Sequence, residues 1–213
     1  MPKETIILKI VPDRAEPDRL KLISDILKAD GVMAYPTETF YGLGAIAFSK
    51  KAVRKIYQLK RREQAKPLSV VVSDIEMAEN IAAALPPLFR TLAREFWPGP
   101  LTLVVEAKPV FPKQMMGPGQ SLAMRVPGAH WLRDLVRYVG VPITATSANI
   151  SGEREIATAE EIIKLFNRKL DLIVDGGPTA GGLPSTIVDL VSREPRILRV
   201  GAVPLSLLQK FLS

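Results

Sequence analysis

The 213-residue chain carries 29 Lys and Arg against 22 Asp and Glu, a formal charge of +7, with 47% hydrophobic and 24% charged residues. That length serves one large domain or two small ones with an ample core, and the composition excludes a disordered chain. No apolar run approaches the roughly 20 residues of a membrane span, no secretory signal follows Met1, and the absence of cysteine removes disulfides, thiolate metal sites and a cysteine nucleophile. A single histidine leaves no mechanism that needs two imidazoles. The expectation is a soluble, basic, cytoplasmic α/β protein without a membrane partner, whose charge suits RNA, DNA or a nucleotide.

Residues 5–10 read as a first strand, and 18–29 as a helix with Leu20, Ile23, Ile26 and Leu27 on one face, stopped at Gly31. A short strand at 32–35 runs into Pro36-Thr37-Glu38-Thr39. Ser49 is placed to cap a helix with Val53, Ile56 and Leu59 inward. The apolar run 68–72 is a strand, Asp74 caps the next helix, and 87–96 is a helix stopped by Trp97-Pro98-Gly99-Pro100. Strands follow at 101–106, 122–126, 143–146, 172–175, 186–190 and 197–200. Helices fit 130–139, the stretch from Thr158, where Glu161 completes a capping-box pattern, and 204–211. Strands that follow one another without a helix between them predict a mixed sheet, and no linker divides the chain, so one domain over 1–213 is expected.

Nucleotide signatures are missing: there is no Gly-x-x-x-x-Gly-Lys-Ser/Thr, and Gly42-Leu43-Gly44 lacks the third glycine of a dinucleotide fingerprint. Five segments still place polar residues where strands meet loops, the usual address of an α/β site. In 35–44, hydroxyls precede two glycines, which serve either a close-approaching ligand or a polar turn with positive φ. Lys60 and Arg62, two apart, diverge on a helix, so convergence on a phosphate requires the helix to be unwinding at Lys60; the alternative is a solvated, dipole-favoured helix end. Arg125 stands in a strand on the face of Ala123 and needs an anion, a substrate carboxylate or a structural Asp or Glu. Thr144-Ala145-Thr146-Ser147-Ala148-Asn149-Ile150-Ser151-Gly152 is a dense donor and acceptor array. Gly181-Gly182-Leu183-Pro184-Ser185-Thr186 reads as a mobile loop, with Arg199 in reach of a phosphate or base. His130 and Trp97 read as structural, one beginning a helix, the other packing a helix end.

Taken in order, Tyr35-Pro36-Thr37-Glu38-Thr39-x-Tyr41-Gly42-Leu43-Gly44, Lys60-x-Arg62 with Pro67-Leu68, Trp97-Pro98-Gly99-Pro100-Leu101-Thr102, Arg125-Val126-Pro127, Thr146-Ser147-Ala148-Asn149-x-Ser151-Gly152, Ser185-Thr186-x-Val188-Asp189 and Arg199-x-Gly201 resemble the YrdC-like family, the threonylcarbamoyl-AMP synthases. The resemblance runs from about residue 18 to 201 and is to the short, single-domain form. It implies a twisted mixed β-sheet flanked by helices, with a large basic cleft. It also implies a nucleotidyltransferase: L-threonine, bicarbonate and ATP, with Mg²⁺ carried on the triphosphate and no metal ligand from the protein, give threonylcarbamoyl-AMP and pyrophosphate. That product feeds tRNA threonylcarbamoyladenosine modification through a separate transferase complex.

By the same resemblance Lys60 and Arg62 are the catalytic cations; Thr37, Arg125 and Ser185 hold threonine; Lys60, Arg62, Ser121, Ser147, Asn149 and Arg199 hold ATP. Lys66 and Val71 stand where many members carry Asn and His; Lys66 offers charge to the triphosphate, and Val71 removes an imidazole contact to threonine. Two other readings stay open: a non-catalytic module binding tRNA or double-stranded RNA in the same cleft, and an adenylate-forming paralogue with another substrate. The 6% aromatic content and the lack of a stacking platform weigh against the first.

Overall fold

The computed structural model describes residues 4–11 and 16–212. Strands β1 (Ile6–Lys9), β2 (Met33–Pro36), β3 (Tyr41–Gly44), β4 (Ser69–Val71), β5 (Ala82–Ala84), β6 (Leu101–Ala107), β7 (Ser121–Arg125), β8 (Ile143–Ser147), β9 (Leu172–Asp175), β10 (Thr186–Asp189) and β11 (Arg196–Arg199) form one continuous sheet. Its order is β1-β9-β2-β3-β8-β4-β7-β6-β10-β11, with β5 added beside β10 on the same edge of β6. The pairings β1–β9, β9–β2, β4–β7 and β6–β10 are parallel and the others antiparallel, so the sheet is mixed as expected.

Helices cover both faces: α1 (Pro17–Lys28), α2 (Lys50–Lys60), α3 (Ile75–Ile81), α4 (Pro87–Phe96), α5 (His130–Val139), α6 (Ala159–Phe166) and α7 (Leu205–Leu212). Period-two alternation divides the strands between two cores. In β2 and β9, Ala34 and Ile173 enter the larger core with α2, α4 and α6, while Met33, Tyr35, Leu172 and Val174 enter a second core with Leu20, Ile23 and Leu27 of α1 and Trp131, Leu132, Leu135 and Val136 of α5. Strands buried on both faces must be apolar at every position, which is why 32–35 and 172–174 read as unbroken apolar runs.

The caps form as read. Ser49 Oγ accepts from Ala52 N at 3.1 Å, Asp74 Oδ1 from Met77 N at 2.9 Å, and Thr158 Oγ1 from Glu161 N at 3.4 Å. The Glu161 carboxylate pairs with Arg154. Two strands, β3 and β5, go beyond the sequence reading. In β3, Gly42 and Gly44 are extended, not positive-φ turn residues. They lie across from Tyr35, whose ring would stand 3.0 Å from a Cβ at Gly42 and 2.7 Å from one at Gly44. Glycine there makes room for a tyrosine. Leu59, expected inward, is half-buried, and Lys60 takes the interior place.

Candidate functional site

The helix faces that cover β1, β9 and β2 leave the other end of that same sheet face open. There β7 turns Leu122 and Met124 into the larger core and Ala123 and Arg125 outward. Likewise β6 buries Leu101 and Leu103 and presents Thr102, and β10 buries Val188 and presents Ile187. These outward side chains, with the 37–40 turn, the end of β8 and Arg199, line a pocket open to solvent. Its charged residues are Arg62, Arg125, Arg199 and Glu155.

Six of the residues named from sequence therefore meet in one pocket: Thr37, Arg62, Arg125, Ser147, Ser185 and Arg199. Thr37 organises its turn, its hydroxyl donating to Phe40 O at 2.7 Å and accepting from Thr39 N and Phe40 N, each at 3.2 Å. Arg125 is paired with Glu38, and both are largely enclosed, with side chains 12% and 26% exposed. On the β6 and β10 side of β7, Thr102 Oγ1 and Ser185 Oγ lie 2.8 Å apart, and Arg199 donates from Nε to Ser185 O and from Nη2 to Ser185 Oγ, both at 3.0 Å. Gly201 makes that possible: a Cβ there would stand 2.1 Å from Pro184 O, so only glycine lets the chain after β11 cross Pro184–Ser185 so closely.

Lys60 and Asn149 stand behind the lining. Helix α2 ends at Lys60, and Arg61 turns the chain with φ 49° and ψ 39°. Lys60 points inward and Arg62 reaches the pocket, its Nε on Lys66 O at 3.0 Å and Nη2 on Pro67 O at 2.9 Å. The Lys60 ammonium is 1% exposed and donates to Ser147 O, to Asn149 O at 2.8 Å and to Asn149 Oδ1 at 3.0 Å. Ser147 Oγ donates to the same Oδ1 at 2.6 Å, and Asn149 Nδ2 to Glu153 O at 2.6 Å. Burial among neutral acceptors, with Arg62 nearby, lowers the Lys60 pKa to about 8. Burial works the other way on Tyr41, pushed up to about 12 while its hydroxyl donates to Gly177 O at 2.8 Å.

Lys66 and Ser121 are not part of the lining: Lys66 is exposed with Nζ 3.1 Å from Glu63, and Ser121 opens β7 beside Gly117. Val71 is the register neighbour of Arg125 and is fully buried in the second core. Trp97 packs in the larger core, its ring edge-on to Phe89 at 5.6 Å, and His130 is the first residue of α5 with Nδ1 2.9 Å from Asp134. Sequence reasoning passed over Thr39, Phe40, Thr102 and Glu155 as lining residues. Thr102 had a legible signal, since period two from the buried Leu101 and Leu103 turns it to the other face.

The fold and pocket define a mixed-sheet α/β protein with an arginine-lined, hydroxyl-rich site at strand ends. A family model described as "Telomere recombination", that of the Sua5, YciO and YrdC proteins, matches residues 25–201, and the chain belongs to this family. The threonylcarbamoyl-AMP synthase of Pyrococcus abyssi is 36% identical over 208 residues, covering 98% of this chain and 61% of that protein. The threonylcarbamoyl-AMP synthase of Bacillus subtilis is 39% identical over 180 residues, covering 84% and 52%. The crystal structure of P. abyssi Sua5 complexed with L-threonine superposes with a TM-score of 0.92 at 35% identity, covering 98% of this chain and 61% of that one. The chain thus spans between about half and three fifths of the length of these relatives.

Proposed function

We propose that this chain is a threonylcarbamoyl-AMP synthase, making threonylcarbamoyl-AMP and pyrophosphate from L-threonine, bicarbonate and ATP. The observation that carries the reading is the convergence of Thr37, Arg62, Arg125, Ser147, Ser185 and Arg199, from six separate stretches of sequence, on one pocket. Relatives that share the family bear that name, and one was crystallised with L-threonine. In this reading the pocket, with Arg62, Arg125, Arg199 and Glu155 in its lining, serves as the basic cleft, and a single domain over 1–213 belongs to the same proposal.

In this reading the threonine nitrogen and bicarbonate form a carbamate, with loss of water and a proton. A carbamate oxygen then attacks the α-phosphorus of ATP, the bond to the β-phosphate oxygen breaks, and pyrophosphate leaves. Arg125, the Thr37 turn and Ser185 hold threonine. Arg62 and Arg199 lie along the triphosphate and offset the charge that builds on the leaving group. Their donors are already fixed by backbone carbonyls and Ser185, so positions are set before the ligand arrives. Lys60 and Asn149 hold Ser147 from behind. Ser121 and Lys66 lie outside the pocket lining.

Among the described residues no group of three or more His, Asp or Glu gathers to hold a metal. In this reading Mg²⁺ enters with the nucleotide. No helix of the described residues is long and apolar enough to cross a membrane. A cytoplasmic location, supply to a tRNA-modifying threonylcarbamoyl transferase complex and contact with tRNA belong to the same proposal.

Pyrophosphate release from Mg²⁺-ATP tests it. Release that requires both bicarbonate and L-threonine is expected. Release driven by another amino acid moves the activity to a different carbamoyl-adenylate, and no release from folded, ATP-binding protein refutes the synthase.

A further inference from the structure

The three guanidiniums of the pocket are not electrostatically alike. Arg62 and Arg199 spend their donors on the carbonyls of Lys66, Pro67 and Ser185 and on the Ser185 hydroxyl. These acceptors are neutral and neither guanidinium is in an ion pair among the described residues, although the Glu155 carboxylate lines the same pocket and acts on Arg199 through space. Arg125 alone of the three makes an ion pair among the described residues, with the Glu38 carboxylate, in a spot where both side chains are mostly withdrawn from water. Screening there is weak, and the pair presents almost no net charge to an incoming ligand.

The pair is also incomplete. Glu38 Oε1 accepts from Arg125, while Oε2 is enclosed and has no hydrogen-bond donor among the described residues. A carboxylate oxygen shut away without a donor calls for one. Glu38 is not itself in the pocket lining; it lies behind Arg125, which is, and rotation about its Cγ–Cδ bond is what brings a carboxylate oxygen to a ligand seated against Arg125. An α-amino acid brings, on one carbon, an acceptor for Arg125 and a cationic donor for Glu38. A phosphate or a simple carboxylic acid brings only acceptors and meets the Glu38 charge as repulsion.

We propose that Glu38 is a specificity-determining residue, coupled to Arg125 so that this end of the pocket admits a zwitterionic amino acid and turns away phosphates and des-amino acids. The inference rests on the reading of the pocket as a site for an amino acid and ATP. It divides that pocket into a neutral-pair subsite around Arg125 and a cationic subsite around Arg62 and Arg199.

Calorimetric binding of L-threonine, 3-hydroxybutyrate (threonine without its amino group) and inorganic pyrophosphate to the wild type, Glu38→Gln and Glu38→Asp is the test, with ATP binding as the check on folding. In Glu38→Gln, threonine affinity falls by at least about tenfold, the loss of one charge-assisted contact. Hydroxybutyrate binds the variant at least as well as threonine does, pyrophosphate competes with threonine where it did not before, and ATP affinity holds. Glu38→Asp recovers part of the preference for threonine. Unchanged threonine affinity in Glu38→Gln overturns the proposal. So does a parallel loss of threonine and hydroxybutyrate, which would make Glu38 only a prop for Arg125. If the wild type prefers a different amino acid and Glu38→Gln loses that preference, the Glu38 assignment stands and the threonine reading fails. A wild type that binds no amino acid defeats both.

Discussion

Replacing Lys60 by methionine separates the charge of that side chain from its bulk. The ammonium is 1% exposed, has three neutral oxygen acceptors and has its pKa lowered from 10.5 to about 8, chiefly by burial. A lysine whose folded pKa lies below its unfolded one binds its proton less well in the folded chain, so below pH 8 it subtracts from stability, and the penalty fades as pH rises toward 10.5. At 1.36 kcal/mol per pKa unit the penalty is about 3 kcal/mol at pH 7 and falls to about 1 kcal/mol at pH 10. Methionine has no such dependence, but it takes a donor from the carbonyls of Ser147 and Asn149, at about 1–3 kcal/mol for each left without water, while Asn149 Oδ1 keeps the Ser147 hydroxyl. Urea denaturation of wild type and Lys60→Met at pH 7 and pH 10 reads the difference. The advantage of the wild type over the variant grows by about 2 kcal/mol between those pH values, while the pyrophosphate release proposed for it declines over the same window as the turn at 147–149 loses its positive anchor. An advantage that stays flat or shrinks with rising pH refutes the account of Lys60 as a buried cation held by neutral acceptors.

Arg125→Ala lowers threonine affinity about 100-fold, the cost of removing one partner from an enclosed charge pair, and leaves ATP affinity within a few fold in calorimetry. Equal losses of both ligands would show that Arg125 supports the whole pocket. Gly201→Ala forces a Cβ against Pro184 O, at 2.1 Å before relaxation, and shifts the Ser185 backbone that Arg199 holds; a stability loss of about 2 kcal/mol or more in thermal unfolding, with weakened ATP binding, is expected. Asp74→Ala removes the cap of α3, whose Oδ1 takes the Met77 N–H, and lowers stability by about 1 kcal/mol in urea denaturation without changing ligand affinity.

What could be read from the sequence was whatever a local rule determines. The bounds of α4, α5 and β9 follow from proline, glycine and apolar period, and the three side-chain caps follow from Ser49, Asp74 and Thr158. The strand β3 was hidden because glycine signals a turn locally, and only the ring of Tyr35, paired across β2, explains why Gly42 and Gly44 are strand residues. The same limit governs the site. The motifs named which residues belong together, and period two in β7 turned Arg125 the right way. No local rule says that Lys60, in sequence two residues from Arg62, lies behind the pocket wall, since that depends on the helix ending in a left-handed residue at Arg61. Nor does one say that the anion expected for Arg125 is already present as Glu38, 87 positions away in the chain. Of the two readings of Arg125, the internal carboxylate is the one the fold supplies, and the ligand carboxylate belongs to the proposed function. The internal carboxylate is the resting partner, and its unfilled oxygen gives the pocket a reason to prefer a ligand that carries both charges.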